Sequence, residues 1–182
     1  MTGTTMKRMT YFSKFLPHLL IMLGVVLAFS APARAADRAL AFAVPGVIAD
    51  ITVKAGAHVV KGAVLAVLDQ RPFSASKKAS DARVDAAMVT NDLLARRLKQ
   101  TEQLFDSLSA SVEDVEDAKT AAAVAKSDLE TARAHAAQAA WNYERSTLRA
   151  PFDGTVASVP GYPGMVIPLN GDSVPVVIIR VP

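Results

Sequence analysis

The residue types that most often bind metals are few and scattered in this 182-residue sequence. Cysteine is absent, His58 and His135 lie far apart, and His18 falls in an apolar segment near the N-terminus. A zinc or copper site needs three or four clustered nitrogen or sulfur ligands. Met88 and Met165 are the only methionines beyond residue 35, too few for a surface that handles copper. We therefore expect no metal site.

Carboxylates are concentrated in one run, Glu113–Asp117. The run lacks the Asp-x-Asp-x-Asp-Gly spacing of a calcium loop. Negative charge suits the first turn of a helix, so a solvated helix start is the simpler interpretation. The sequence also contains no Gly-x-Ser-x-Gly, no glycine-rich phosphate loop and no His-Glu-x-x-His. We therefore expect a protein that is not an enzyme and that holds no cofactor.

The first 35 residues have the pattern of a secretory signal peptide. Basic residues come first, an apolar run follows at Leu19–Phe29, and Ala33 and Ala35 have the small-residue spacing that a signal peptidase needs. The run is shorter than the ~20 residues of a spanning helix. Extending it back to Phe15 gives the alternative, an uncleaved anchor in the inner membrane.

The basic character of the chain comes from this segment. Residues 1–35 hold four of the 20 Lys and Arg and none of the 17 Asp and Glu, which leaves 16 basic residues against 17 acidic ones. A nearly neutral mature chain gives no reason to expect nucleic-acid binding. Since no disulfide can form, an exported chain of this kind must be stabilised by packing or by its partners.

Two stretches at opposite ends of the mature chain repeat one pattern. VPGVIADITVKAGAH begins at Val44, and APFDGTVASVPGYPG begins at Ala150. Both contain short β-branched runs separated by glycine turns, which are typical of a small sandwich or barrel. With an offset of 108 residues, like residues coincide: Gly46 and Gly154, Ile48 and Val156, Ile51 and Val159, Gly56 and Gly164, Val59 and Ile167.

Neither copy has enough apolar residues to enclose a core by itself. We expect the two copies to face each other about a pseudo-twofold axis and to form one domain in two halves. Glycines at matching places would permit the positive φ that tight turns demand. The residues predicted to share the core are Ile48, Ile51, Val53, Val67, Val156, Val159, Val166 and Ile167.

The residues between the copies have the composition of helices. From Pro72 to Leu148 there is no glycine and no further proline. The pattern weakens only at DSLSASVEDVED, where Ser111 and Asp114 resemble a capping box. One helix is predicted to end near Ser107 and the next to begin near Ser111, and so short a connection requires an antiparallel hairpin. With about 36 residues in each helix, the hairpin reaches ~50 Å.

Small and apolar residues follow the alternating three-and-four spacing of a coiled coil on both helices. On the second helix the predicted seam is Val115, Ala118, Ala122, Ala125, Leu129, Ala132, Ala136, Ala139 and Tyr143. On the first helix it is Ala75, Ala79, Ala82, Ala86, Val89 and Leu93, followed after a local change of phase by Leu94, Leu98, Thr101, Phe105 and Leu108.

The half-repeated strand pattern, the long hairpin and the phrase LRAPFDGTVASVPGYPGMVI, in this order, resemble HlyD-like periplasmic adaptor subunits, also called membrane fusion proteins. The resemblance implies an α+β fold in which a biotinyl/lipoyl-like β-sandwich, made of two sequence halves, is interrupted by a long antiparallel helical hairpin. It divides the chain into a signal peptide at 1–35, a first lipoyl-like half at 36–70, the hairpin at 71–148 and a second half at 149–182.

The resemblance also implies a function without catalysis. Such adaptors link an inner-membrane transporter to an outer-membrane channel in efflux or secretion, and they act in the periplasm as rings of identical copies. Family members normally continue into a β-barrel and a membrane-proximal domain that touch the transporter, whereas this sequence stops at Pro182. The contact with the transporter can be direct or indirect. The chain can be a truncated adaptor, a minimal adaptor or one part of a split adaptor.

In that family the hairpin tip is thought to meet the channel through the pattern Arg-x3-Leu-x6-Ser. Leu104 and Ser111 have this spacing, but Gln100 occupies the arginine position. Leu108 is a second apolar residue near the tip, where an exposed apolar side chain tends to mark a partner site. The residues predicted to contact the channel are therefore Gln100, Leu104, Leu108 and Ser111, with helix capping as an additional role of Ser111.

Two other functions are considered. A lipoyl or biotin carrier presents its modified lysine in a tight turn between the two halves, but here the long hairpin fills that place and no Met-Lys-Met or Asp-Lys-Ala phrase occurs. A periplasmic coiled-coil scaffold unconnected with transport would not need the two β segments.

Overall fold

Short β-branched runs on either side of the hairpin form strands, and the glycine-free segment between them forms two helices. The computed structural model describes residues 36–168 and 174–181, and the predicted signal peptide at 1–35 lies outside the described residues. In chain order the elements are β1 (Ala36–Leu40), β2 (Gly46–Ile51), β3 (His58–Val59), β4 (Val64–Leu68), α1 (Arg71–Asp106), α2 (Val112–Arg145), β5 (Thr147–Arg149), β6 (Gly154–Ser158), β7 (Val166–Ile167) and β8 (Val177–Val181).

The strands form two four-stranded antiparallel sheets, and each sheet takes strands from both sides of the hairpin. One sheet has the order β1-β8-β6-β3 and the other has the order β5-β4-β2-β7. The short strand β3 pairs with β6 of the later segment, and β7 pairs with β2 of the earlier one. Neither sheet can form from one half alone. The predicted fold class, a sandwich of two sequence halves interrupted by a helical hairpin, is confirmed.

Hydrogen bonds repeat across the two halves at the offset of 108 residues. The amide of Gly56 donates to the carbonyl oxygen of Val156 at 2.8 Å, and the amide of Gly164 donates to the carbonyl oxygen of Ile48 at 2.8 Å. This exchange is what a pseudo-twofold axis between the halves produces. The strand registers repeat in the same way, with Gly46 opposite Ile167 and Val59 opposite Gly154.

The matching glycines are required for two different reasons. Gly56 and Gly164 have φ angles of 85° and 89°, which confirms the predicted use of glycine at these turns. Gly154 is needed instead for close approach, because a Cβ atom there would lie 2.6 Å from the backbone oxygen of Arg180. The repeat therefore preserves glycine both where the chain turns and where strands crowd.

The hydrophobic core lies within the sandwich and draws on both sequence halves. The predicted core residues that are buried in the core or packed against it are Ile48, Ile51, Val53, Val156, Val159 and Ile167. Val67 is half-buried but lies outside this core, where it lines an open cleft. The prediction was wrong for Val166, whose side chain is 67% exposed. Successive side chains of a strand point to opposite faces, so Ile167 on β7 faces the core and Val166 faces away.

Two long helices form the hairpin, with Pro72 in the first turn of α1. Proline is tolerated there because the first amides of a helix have no intrahelical acceptor. On α2 the whole predicted seam, from Val115 to Tyr143, is buried or half-buried. The alternating spacing of small residues on α2 therefore identified the face that packs on α1.

The contact face of α1 differs from the prediction over much of the helix. The six residues predicted for its N-terminal part, from Ala75 to Leu93, are all exposed. The less exposed positions lie on the helix face of Leu94 and Leu98 along the whole stretch. The predicted change from one face to another therefore does not occur. These positions are Lys77, Ser80, Val84, Ala87, Asn91, Leu94, Leu98 and Thr101.

Polar residues on this contact face have local partners or small size. Lys77 forms an ion pair with Asp81 at 2.7 Å, one turn further along α1. Ser80 is 7% exposed and its side chain is small. The alanine-rich face of α2 leaves room for such residues, which explains why spacing of apolar residues alone selected the wrong face of α1.

Candidate docking site at the hairpin tip

The turn between the helices is closed by local backbone hydrogen bonds. The amide of Leu108 donates to the carbonyl oxygen of Phe105 at 2.9 Å, and the amide of Ser109 donates to that of Leu104 at 2.7 Å. These bonds satisfy carbonyls at the end of α1 that have no intrahelical donor. The backbone at the tip is therefore defined without help from the rest of the protein.

Leu108 has an unusual backbone conformation at the centre of this turn. Its φ angle is 59°, and among the described residues it is the only non-glycine residue with positive φ. The left-handed conformation costs an ordinary residue roughly 1–2 kcal/mol. The Leu108 side chain is 94% exposed, so packing does not offset that cost. Backbone strain and apolar exposure at one residue together motivate a functional hypothesis.

Other apolar side chains near the turn are also exposed. Leu104 and Phe105 at the end of α1 are 44% and 39% exposed, and Val112 at the start of α2 is 63% exposed. We call Leu104, Phe105, Leu108 and Val112 the tip patch. Leu104 and Leu108 were predicted for this role from the sequence. Phe105 and Leu108 were also predicted for the helix seam, and Val112 was not predicted.

Ser111 is fully engaged as the N-cap of α2. Its hydroxyl accepts a hydrogen bond from the amide of Asp114 at 3.1 Å and donates to the Asp114 carboxylate at 2.6 Å. The same carboxylate accepts from the Ser111 amide at 2.8 Å, which completes the predicted capping box. These hydrogen bonds from Ser111 lower the pKa of Asp114. The structure thus shows the capping role of Ser111, while its contact with a partner stays a prediction.

Gln100 lies on the exposed surface of α1, one turn before Leu104. Residues four apart share a helix face, so Gln100 and Leu104 can be presented to one partner. Ser111 lies on the other side of the turn. The four predicted contact residues are therefore all exposed near the tip, but only Leu104 and Leu108 are apolar members of the tip patch.

A hydrogen-bonded junction joins the base of the hairpin to the sandwich. The Nε2 of Gln70 donates to Oγ1 of Thr147 at 2.9 Å and to Oγ of Ser146 at 3.2 Å. The Ser146 hydroxyl donates to the carbonyl oxygen of Tyr143 at 2.6 Å, and the amide of Leu68 donates to that of Ser146 at 2.8 Å. This junction connects the start of α1, the end of α2 and two strands. This junction was not predicted, because the only sign of it in the sequence is that Gln70, Ser146 and Thr147 lie next to the ends of the predicted helices.

The described part of the chain offers no cluster of potential metal ligands. Within residues 36–168 and 174–181, no three His, Cys, Asp or Glu side chains are placed to hold a metal ion. An open cleft of about 760 Å³ at the hairpin base is lined by residues such as Phe42, Val67 and Tyr143. Among the described helices, none is long and apolar enough to span a bilayer.

Comparison with protein families assigns the architecture. Residues 38–172 match the family described as the CzcB-like, barrel-sandwich hybrid domain. This span is most of the chain, and the chain therefore belongs to that family. The comparison with curated proteins gave no match.

Solved structures share the fold at low sequence identity. The membrane fusion protein Spr0693 from Streptococcus pneumoniae R6 has a TM-score of 0.61 at 16% identity, over 80% of this chain and 61% of its own. The periplasmic adaptor protein EmrA has a TM-score of 0.51 at 15% identity, over 81% of this chain and 73% of its own. A MacA-MexA chimera with the Pseudomonas aeruginosa MexA α-hairpin domain has a TM-score of 0.51 at 23% identity, over 80% and 46%.

These comparisons confirm the predicted resemblance to membrane fusion proteins at the level of family and fold. This chain spans only 46% and 61% of the chimera and of Spr0693. Partners and activities of the longer proteins belong to those proteins.

Proposed function

We propose that this chain is a non-catalytic periplasmic adaptor whose hairpin tip docks onto the periplasmic end of an outer-membrane channel. The observation that carries the proposal is the tip patch, and within it Leu108, a strained leucine that is 94% exposed. Complete burial of an exposed leucine side chain by a partner is favourable by about 1.5–3 kcal/mol. The family and fold, which are those of membrane fusion proteins, support this reading.

The base junction supports the same function mechanically. A hairpin acts as a lever or spacer only if its base keeps a fixed direction. Gln70 ties the start of α1 to Ser146 and Thr147 at the end of α2, and Ser146 is completely buried. The tip, at the end of two helices of 36 and 34 residues, is thereby presented at a defined distance from the sandwich.

The sandwich, at the other end of the hairpin from the tip, has a separate role in the proposed function. Export by the predicted signal peptide at 1–35 would place the chain in the periplasm, either free or held at the inner membrane if the signal is not cleaved. The sandwich would then act on the side of an inner-membrane transporter, directly or through another protein, with several copies arranged in a ring.

Binding of a purified outer-membrane efflux channel in detergent tests the docking step. The chain carrying Leu104→Asp and Leu108→Asp should recover the channel at least tenfold less well than the wild type, since removal of a hot-spot residue from an interface costs about 2 kcal/mol or more. Val60→Asp is the matched control, because Val60 is a 59% exposed apolar residue in the sandwich.

The outcomes separate docking from a general effect of added charge. Reduced recovery of the tip variant with normal recovery of the Val60 variant supports docking through the tip. Equal recovery of the channel by the wild type and the tip variant contradicts it, and would leave a periplasmic scaffold as the better description of the hairpin.

A further inference from the structure

Strand β5 lies at the edge of its sheet and has a strand partner on one side only. The sheet has the order β5-β4-β2-β7, so β4 is the only neighbour of β5 among the described strands. The carbonyl oxygen of Ser146 and the amide of Ala150, at the two ends of β5, form hydrogen bonds of 2.8 Å and 2.9 Å with the backbone of residues 63–68. Backbone groups of successive strand residues point to alternate sides. Those of Thr147 and Arg149 therefore point outwards, away from β4.

An open cleft of about 760 Å³ runs along this free edge at the base of the hairpin. It lies between β5 and residues 41–43, which connect β1 to β2, and the last turn of α2 borders it on the side of the hairpin. Its volume is in the range of pockets that hold ligands. We call it the edge cleft. Because the residues of β5 line it, a molecule in the edge cleft lies within reach of the outward backbone groups.

The side chains beside the free edge differ between the two faces of the sheet. Leu148 packs against the hydrophobic core, and Phe42, a core residue, also lines the edge cleft. Successive side chains of a strand point to opposite faces, so Thr147 and Arg149 lie on the outer face. A strand added to β5 would therefore place alternate side chains beside apolar residues and beside Arg149.

The rim of the edge cleft is basic. Arg145 and Arg149 line it together with one carboxylate, that of Glu144. Nη1 of Arg149 donates to the carbonyl oxygen of Gly62 at 2.9 Å, and the guanidinium of Arg145 lies 5.6 Å from the ring centre of Trp141. Within the described part of the chain, none of the ion pairs found uses these arginines or Glu144. A carboxylate on a bound molecule would therefore complement the charge of the rim.

We propose that the edge cleft binds an extended segment of a partner protein, which adds a strand to β5 and in which apolar and acidic residues alternate. In strand addition, main-chain hydrogen bonds supply affinity and the surroundings of alternate side chains supply specificity. The acidic residues belong beside Arg149, because opposite charges on neighbouring strands stabilise the pairing. The apolar residues belong on the other face, beside Leu148 and Phe42.

An extended segment is favoured over a small amphiphilic molecule because of the backbone of β5. A single-chain carboxylate could contact an arginine and the apolar residues, but it would leave the outward groups of Thr147 and Arg149 without partners. A strand satisfies them as well, and an open sheet edge is a template for strand pairing. The edge cleft lies about 50 Å from the hairpin tip, so this binding goes beyond the proposed docking to a channel and does not depend on it.

Fluorescence anisotropy with synthetic peptides tests the charge preference. The probe is a labelled, end-capped Glu-Val-Glu-Val-Glu-Val peptide, and Lys-Val-Lys-Val-Lys-Val is its charge-reversed counterpart. The wild-type chain should bind the acidic probe roughly tenfold more tightly than the basic peptide. Arg149→Glu should reduce this preference by roughly three- to tenfold. Arg83→Glu is the matched control and should leave the preference unchanged, because Arg83 is an exposed arginine on α1 that does not line the edge cleft.

Two further measurements test whether the bound peptide forms a strand. The acidic probe methylated at every backbone amide cannot donate to β5 and should bind roughly tenfold less well. In hydrogen exchange followed by NMR, addition of the unmodified probe should slow the amides of Thr147 and Arg149. The amide of Leu148, which points towards β4, should keep its rate and serves as the internal control.

The outcomes distinguish the proposed occupant from the alternatives. Equal binding of the probe and its methylated form overturns the inference, as does absence of binding up to about 1 mM peptide. Binding of dodecanoate at the edge cleft without slower exchange at Thr147 and Arg149 would assign the cleft to a small amphiphile. Slower exchange of these amides at high concentration of the chain alone would assign the edge to a second copy. Leu108→Asp should bind the probe normally, so failure here and failure of channel docking are distinguishable.

Discussion

Ile48 and Val156, which are 108 residues apart in the chain, make the same hydrogen bond in the two halves of the sandwich. The amide of Ile48 donates to the carbonyl oxygen of Met165 at 2.9 Å, and the amide of Val156 donates to that of Ala57 at 2.9 Å. Each bond joins one half to the other, and both side chains are 1% exposed. The two helices of the hairpin therefore start and end on one shared body, so the direction of the tip depends on the integrity of the sandwich.

Gly154→Ala should destabilise the sandwich more than the equivalent change in the other half. A Cβ at Gly154 would lie 2.6 Å from the Arg180 backbone oxygen and 2.6 Å from Cγ2 of Ile179, and backbone cannot move aside as a side chain can. We expect a loss of about 1–3 kcal/mol in the free energy of unfolding, measured by urea denaturation.

Gly46→Ala is the control that the pseudo-symmetry provides. Its added methyl would meet Cδ1 of Leu68 at 3.1 Å, and a leucine side chain can adjust. A loss at Gly46 as large as that at Gly154 would contradict the argument from close strand approach.

Leu108→Gly should separate stability from docking. Glycine adopts positive φ without strain, so relief of the left-handed leucine should raise the free energy of unfolding by about 1 kcal/mol. Channel recovery should fall in the same variant because the exposed side chain is removed. Thermal unfolding and channel pull-down on one preparation measure both effects.

Ser109→Gly is the comparison for Leu108→Gly, because Ser109 is adjacent and does not have positive φ. It should leave channel recovery unchanged and should not raise stability. A Leu108→Gly variant that is less stable than the wild type would contradict the interpretation that the backbone of Leu108 is strained.

The sandwich could be predicted from the sequence because its signals are local and repeated. Gly56 and Gly164 mark equivalent turns, and the β-branched residues around Ile48 and Val156 mark equivalent strands. Because the pattern repeats at one offset, each half has equivalent strand edges without a partner, and this restricts which strands of the two halves can pair. The prediction of the core was wrong for Val166, because the two-residue strand β7 is too short for alternation to be read, and for Val67, which lines an open cleft.

The contact face of α1 could not be predicted because that helix has two faces with coiled-coil spacing. The exposed face of α1, from Ala75 to Leu93, is more apolar than the face that contacts α2. One long-range contact at the base of α1 is the hydrogen bond from Gln70 to Ser146. That hydrogen bond joins residues 76 positions apart, and no periodic pattern records it.

The conformation of the hairpin tip could be predicted only in part from the sequence. The sequence has no glycine between Gly62 and Gly154, so no residue that takes positive φ without strain was available for the turn. Which residue would take that conformation depends on how α1 ends. Leu108 takes it, and the capping box of Ser111 then follows at the start of α2.

Gln70→Leu should weaken the attachment of the hairpin to the sandwich. The substitution removes the donor to Ser146 and Thr147 in a partly buried junction, and a loss of about 1–2 kcal/mol in the free energy of unfolding is expected. Gln138→Leu is the matched control, because Nε2 of Gln138 donates to Asn142 at 3.0 Å on an exposed helix face. An equal effect of both substitutions in urea denaturation would argue against a special role of the base junction.

Stability should fall in acid through carboxylates whose pKa is lowered by folding. Hydrogen bonds from Arg71 lower the pKa of Asp69 from 3.8 to about 2, and hydrogen bonds from Ser111 lower that of Asp114. A lowered pKa in the folded state means that the stabilisation is present above the unfolded value of 3.8 and is lost as pH falls through the folded value. We therefore expect the melting temperature to decrease between pH 4 and pH 2.

Asp114→Asn isolates the contribution of the capping box to this acid dependence. At pH 7 the variant should melt below the wild type, because the amide is a weaker acceptor for the Ser111 amide than a carboxylate is. The difference should shrink as pH falls through the lowered pKa of Asp114, since the wild-type carboxyl then becomes neutral as well. Melting curves at half-unit steps measure it, and a difference that stays constant down to pH 2 would show that charge on Asp114 does not stabilise the tip.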